Sequence, residues 1–205
     1  MTGIPRPCLM LITDRTLLTP NWTLGQALAP AVTGGVNLVV LRETDLPKGP
    51  RLTVARFVLD GIRGRVPMLT SGDPGFAMEA GADGVMVEHP EQAADAREVI
   101  GPERILGVVL SSPNAAGEAE SARADFGLLN LDWANTEGAL DIARRFLSIT
   151  RLPLITGVDV PIDLVQACVN IGSAGVAVCA PGMSAYNRTE AAQLYARSLG
   201  IVGSP

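Results

Sequence analysis

Aromatic side chains make up only about 4% of this 205-residue chain, and lysine is rarer still, with Lys48 standing alone. A core built without aromatics has to be filled by Val, Leu, Ile and Ala, the residues preferred by parallel strands covered on both faces. Positive charge is also short: 16 Lys and Arg stand against 21 Asp and Glu, a net charge of −5, and no basic run occurs. That balance excludes the electrostatic footprint of a nucleic-acid binder. An anionic ligand has to be held by local arginines and backbone N–H groups. Three cysteines, Cys8, Cys168 and Cys179, are odd in number and far apart. They form neither a disulfide framework nor a metal knuckle, and they read as small buried hydrophobes in a reducing compartment. The early apolar run Cys8 to Ile12 is too short for a signal peptide or a bilayer span, so a cytoplasmic protein with no membrane partner is expected. Gly-rich dinucleotide and phosphate loops, paired-cysteine motifs, zinc-protease motifs and calcium loops are all missing, which removes those function classes.

What is present is alternation. Short apolar runs lie at Cys8–Thr13, Val36–Leu41, Pro67–Thr70, Gly84–Val87, Ile105–Leu110, Phe126–Leu131, Pro153–Thr156 and Gly175–Cys179. Each is bounded by Gly, Pro, Asp or Ser and reads as a buried parallel strand. Amphipathic stretches separate them. Leu52–Ile62 carries Val54, Phe57, Val58 and Ile62 on one face, and Thr136–Thr150 carries Leu140, Ala143, Phe146 and Leu147. Eight such alternations favour a closed (β/α)8 TIM barrel of the α/β class, a single domain over residues 1–205, over an open doubly wound sheet. The 22 glycines and 15 prolines are spread along the chain, as many short turns require. A weak repeat supports the barrel. Gly34-Gly35-Val36, Gly81-Ala82-Asp83-Gly84-Val85, Ala124-Asp125-Phe126 and Gly172-Ser173-Ala174-Gly175-Val176 each mark the end of a helix and the start of a strand.

Function in a barrel collects at the C-terminal ends of its strands. Those ends carry Asp14-Arg15, Arg42-Glu43, Ser71 with Asp73, Glu88-His89 with Glu91, Ser111-Ser112, Asn130 to Trp133, Thr156 to Asp159, and Cys179 to Ser184.

The same residues carry a family resemblance. Leu11-Ile12-Thr13-Asp14-Arg15, the stretch Gly34-Gly35-Val36 through Leu41-Arg42-Glu43, Gly81-Ala82-Asp83-Gly84-Val85, and Gly175-Val176-Ala177-Val178 occur in order across nearly the whole chain. In this the chain resembles thiamine phosphate synthases and the related thiazole tautomerases. The resemblance implies a transferase of thiamine biosynthesis that joins hydroxymethylpyrimidine pyrophosphate to thiazole phosphate, or that acts on a related small phosphorylated heterocycle. It also implies Mg2+ and basic groups stabilising the departing pyrophosphate. Several positions depart from the family pattern: Val40 and Thr44 flank the Arg42-Glu43 pair, Ser71-Gly72 stands where the third strand carries an Asn-Asp pair, and Gly157-Val158-Asp159 replaces a glycine pair. Asp159 brings a carboxylate, and Pro181 removes an N–H, where the resemblance places a phosphate.

The candidate site follows from both readings. Arg42 either holds a pyrophosphate or pairs with Glu43 or Glu88, and His89, the one histidine, is either catalytic or an ordinary loop residue. Arg15, Glu43, Ser71, Ser111, Trp133, Gly157 and Gly182 are the expected substrate-binding residues. Asp14-Arg15 has an alternative as a turn with a local ion pair, and Trp133 as a cap on the barrel. Ser111 and Ser112 lack a neighbouring base, which argues against a nucleophilic serine. Asp73 with Glu91 is the expected Mg2+ pair. Two functions stay open: an enzyme on a small phosphorylated substrate, and a non-catalytic ligand-binding or structural paralogue. A homo-oligomer is compatible with either.

Overall fold

A computed structural model describes residues 3–62 and 64–201. The strands are β1 (Cys8–Ile12), β2 (Leu38–Leu41), β3 (Met68–Ser71), β4 (Gly84–Val87), β5 (Ile105–Leu110), β6 (Phe126–Leu129), β7 (Leu154–Val158) and β8 (Gly175–Val178). All pair in parallel with their sequence neighbours, and β8 returns to β1, closing the barrel. The expected strands are all found, shifted by a residue or two at their ends. The helices are α1 (Leu24–Thr33), α2 (Lys48–Ile62), α3 (Pro74–Ala80), α4 (Ala93–Ile100), α5 (Pro113–Ser121), α6 (Thr136–Ile149), α7 (Val165–Asn170), α8 (Ala180–Met183) and α9 (Arg188–Leu199).

Alternation along each strand divides the apolar residues between two cores. Met10, Ile12, Leu38, Val40, Leu69, Met86, Phe126, Leu128, Ile155 and Ala177 fill the inside of the barrel. Leu9, Leu11, Val39, Leu41, Met68, Val85 and Val87 face outward and pack against helix residues such as Leu28, Val58, Phe76 and Ala143. One expected contact is corrected. On α2 the buried face is Ala55, Val58, Leu59 and Ile62, whereas Phe57 is 58% exposed. Its ring lies against Gly25 of α1, where an added Cβ would come within 2.6 Å of it.

The four repeats acquire a physical meaning at the lower face. Asn37 donates its backbone N–H to Leu9 O (3.1 Å) while its Oδ1 accepts from Leu9 N–H (2.9 Å). Asp83 does the same to Met68, with 2.9 Å and 2.8 Å bonds, and Asp125 does so to Leu106, with two bonds of 2.8 Å. In the last repeat Ala174 N–H bonds to Leu154 O at 2.8 Å and the Ser173 hydroxyl donates to the same oxygen at 3.2 Å. Each even strand is thereby clamped at two points to the odd strand before it, which fixes register. Gly81 ends α3 in the left-handed conformation (φ 74°) that glycine adopts without strain, while in the third repeat Arg123 takes that role at φ 56°.

The clamp at Asp125 also receives Arg97 Nη2 at 2.8 Å. Replacing Asp125 by Ala leaves the buried Leu106 N–H without its side-chain acceptor. Chemical unfolding is expected to show a loss of about 1–3 kcal/mol, with a smaller loss for Asp125→Asn, which keeps an acceptor oxygen.

Candidate active site

The upper ends of the strands inherit the same alternation. Arg42 follows Val40 toward the barrel interior, Ser71 follows Leu69, and Glu88 follows Met86. Thr13 and Glu43 take the opposite phase and are buried, Glu43 being only 1% exposed. The Glu43 carboxylate accepts from Thr13 Oγ1 at 2.7 Å and from the Arg15 guanidinium at 3.1 Å, with the Arg15 backbone N–H at 3.2 Å. Arg15 then reaches out to clasp Asp45 through both terminal nitrogens at 2.6 and 2.5 Å. Its guanidinium holds the Asp45 carboxyl below the usual carboxylate range. A local Asp14–Arg15 pair is therefore not what forms. Asp14 instead accepts from the Thr16 N–H and hydroxyl, which lowers its own pKa, and starts a short 3-10 turn at Arg15–Leu17.

This network decides the state of Arg42. Its backbone N–H is bonded to Thr13 Oγ1 at 3.1 Å, yet among the described residues no carboxylate forms an ion pair with its guanidinium. Neither Glu43 nor Glu88 takes it, since Glu43 is satisfied by Thr13 and Arg15 and Glu88 accepts from Ser71 Oγ at 3.2 Å. The side-chain contact that Arg42 does make is weak, Nη2 to Cys179 Sγ at 4.0 Å. A half-buried guanidinium with open donors at the barrel mouth is a ready partner for an anion.

Past the ends of β2, β3 and β4 lies a cleft of about 510 Å3, walled by Thr44, Gly72, Asp73, Glu88, His89 and Asp95, and Arg42 is not on that wall. It joins three residues expected from the sequence: Asp73 and His89 on its wall and Ser71 beneath Glu88. Glu91 is not on that wall. It is exposed and stands 3.9 Å from His89 Nδ1. Asp73 Oδ1 caps α3 by accepting from Gly75 N–H at 2.8 Å. Among the described residues no group of three or more His, Cys, Asp or Glu side chains converges as metal ligands do. Asp73 is bound to a helix start, Glu88 holds Ser71 and Glu91 is off the wall of the cleft, so the expected Asp73–Glu91 pair is not gathered there. A second hollow of about 590 Å3, lined by Leu18, Trp22, Val54 and Phe57, lies outside the mouth, and its one charged group, Arg15, is already paired.

The opposite side of the mouth is occupied by protein. Trp133 lies on Gly157, where φ is 88° and an added Cβ would meet the indole at 2.5 Å, so two expected ligand residues contact each other. Gly182 packs on Leu11 at the outer face of β1, and Ser111 is exposed at the end of β5. Asp159, whose sequence position announces only a charge, has a definite target. Its carboxylate accepts from Cys179 N–H at 2.5 Å and from Ala180 N–H at 3.2 Å, at the start of α8. The residue sits at a φ of 53°, a conformation that no local sequence pattern signals. Burial pushes the Cys179 thiol up to about 11, and Asp159 adds to that rise while Arg42 opposes it. Cys179 is thus a thiol at neutral pH. Native protein is expected to resist iodoacetamide at pH 8 and to react as pH approaches 11 or on unfolding, as mass spectrometry of the labelled peptide will read.

Known proteins are similar to this chain in sequence and in fold. Residues 9–181 match the thiamine monophosphate synthase family. The chain is 30% identical to the thiamine-phosphate synthase of Vibrio parahaemolyticus over 199 residues, 90% of this chain and 94% of that one. It is 30% identical to that of Clostridium novyi over 136 residues, and there the match spans 65% of this chain and 66% of the relative. With Clostridium beijerinckii the identity is 36% over 57% of this chain and 56% of the relative. Among solved structures, thiamine phosphate pyrophosphorylase from Pyrococcus furiosus superposes with a TM-score of 0.82 at 22% identity, covering 94% of this chain and 95% of that one. KGPDC from Streptococcus mutans superposes at 0.75 and 13% identity, covering 96% of this chain and 98% of that one, a likeness of fold alone. No described helix is long and apolar enough to cross a membrane. The match over residues 9–181 and the near full-length likeness to the Vibrio relative establish that the chain belongs to the thiamine monophosphate synthase family.

Proposed function

We propose that the chain is a transferase that acts on a small heterocycle bearing a pyrophosphate, with Arg42 holding the departing anion. The observation that carries this reading is the unpaired guanidinium. Glu43, next in sequence, is turned away to Thr13 and Arg15, so among the described residues no carboxylate forms an ion pair with Arg42, and Asp14 feels its charge without pairing with it. In the reaction the bond from the pyrimidine methylene carbon to pyrophosphate breaks, the electron pair leaves with pyrophosphate, and a ring nitrogen of a second heterocycle closes the new carbon–nitrogen bond. Arg42 donates hydrogen bonds to the leaving oxyanion as its charge develops, where preorganised donors are worth most. Glu43 and Arg15 are positioning residues that hold the β1 and β2 ends in place. Ser71, Asp73 and His89 supply hydrogen-bonding groups around the adjoining cleft, and the Trp133 indole walls the far side of the mouth. The ligands are small phosphorylated molecules, and a cytoplasmic setting suits them.

A second reading, a non-catalytic ligand-binding or structural paralogue, is favoured by one observation: no metal-ligand group gathers among the described residues. The two are separated by measuring pyrophosphate release from hydroxymethylpyrimidine pyrophosphate. Mg2+ is supplied, and the thiazole partner is offered both as its phosphate and as the free alcohol. Turnover that falls on the order of 100-fold or more in Arg42→Ala supports the transferase. No turnover with either partner, and no thermal stabilisation by pyrophosphate, establishes the paralogue instead.

A further inference from the structure

We propose that the hollow between the 3-10 turn after β1 and helices α1 and α2 binds a small uncharged aromatic molecule that carries an N–H or O–H donor. The hollow shares no wall residue with the cleft past β2, β3 and β4, so it is a separate site and stands or falls apart from the transferase reading.

At about 590 Å3, with a mostly apolar wall and a few polar groups, it has the size and lining of a small-molecule site. Leu18, Leu24 and Val54 supply its aliphatic surface, and Trp22 and Phe57 its aromatic surface. In a chain with two tryptophans and four phenylalanines, one of each is left 41% and 58% exposed on this one hollow. Both rings are held. Arg188, itself 3% exposed, lies over the Trp22 indole at 4.3 Å. Its guanidinium donates to Met183 O from Nε at 3.1 Å and from Nη2 at 2.8 Å, and to Thr19 Oγ1 at 3.2 Å. The Phe57 ring is seated on Gly25, which leaves the room that a side chain there would fill. Flat walls fixed in advance suit a flat partner, because little side-chain freedom is lost on binding.

The polar groups set the partner's hydrogen-bonding sense. A hydroxyl has one hydrogen and two lone pairs, and on this wall the hydrogens are spent. Thr16 Oγ1 donates to Asp14 Oδ1 at 2.6 Å, Thr23 Oγ1 to Gln26 Oε1 at 3.0 Å, and Thr53 Oγ1 to Gly49 O at 3.3 Å. What these threonines still offer is acceptor capacity, so the ligand has to donate. An anion is poorly matched, since Arg15, the one cation on the wall, is already clasped by Glu43 and Asp45.

The test uses the 15N-labelled full chain and two bicyclic probes of one shape, indole, which has an N–H donor, and benzofuran, which has an oxygen in its place. The readout is the side-chain Nε1–H resonance of Trp22, assigned with Trp22→Phe, and that of Trp133 serves as the internal control. Indole is expected to shift Trp22 saturably and to leave Trp133 in place, and benzofuran to bind about fivefold more weakly or worse, the worth of one hydrogen bond. Phe57→Ala is expected to weaken indole binding about fivefold or more. Should that variant lose the native spectrum, Gly25→Ala is read instead with the same expectation, because alanine suits α1 while its Cβ would come within 2.6 Å of the Phe57 ring and unseat it. A Trp22 resonance that does not saturate, or a response confined to Trp133, would overturn the proposal. So would benzofuran binding as tightly as indole, the mark of an apolar surface without a donor requirement, or indole binding that ignores the loss of the Phe57 wall. A Trp22 shift on dilution of the ligand-free chain would also overturn it, by showing that a second copy covers the hollow.

Discussion

The pairing of each even strand to the odd strand before it is the constraint on which the mouth of this barrel depends. Asn37, Asp83 and Asp125 each grip one residue of the preceding strand through both a backbone and a side-chain hydrogen bond. In a strand the side-chain period is two, so a slip of one residue exchanges the inner and outer faces. For β2 such a slip would put Glu43 where Arg42 now stands and leave Arg15 without its buried partner. The polar residues of the lower face thus set the charge presented at the upper face, a barrel's height away.

At that upper face the charges divide the mouth into two unlike halves. On the β1–β4 side the carboxylates are committed to neighbours: Glu43 to Thr13 and Arg15, Glu88 to Ser71, Asp73 to the start of α3. Their commitments leave Arg42 without an ion-pair partner among the described residues. On the β7–β8 side the logic is inverted, because there the backbone donors are committed, and to a carboxylate of the chain itself. Trp133 closes the same side by lying on Gly157. The two meet at Cys179, whose Sγ lies 4.0 Å from Arg42 Nη2 and whose N–H donates to Asp159.

The barrel itself was legible because its signal is redundant. Eight apolar runs, two well-formed amphipathic helices and four repeated junctions all imply the same alternation, and a local error does not disturb it. Phe57 is such an error: it falls on the periodic face of α2 but is 58% exposed, since Ala55 and Leu59 rotate the buried stripe. The expected site was legible only as a ring of strand ends. Asp73 and His89 line one cleft and the buried Ser71 bonds Glu88 on its wall, while Glu91, Gly182 and Ser111 are not part of it.

Periodicity, residue order and motifs along the chain were enough to specify the closed barrel, the family and the set of residues at the mouth. Which of those residues have partners was settled only by folding. Arg15 bonds to residues some 30 positions away, Asp159 to backbone donors 20 and 21 positions away, and Arg188 to a threonine 169 positions away. Hydrogen bonds of that span depend on where the closed barrel brings its loops together and on the φ of single residues. Neither is encoded in a local pattern.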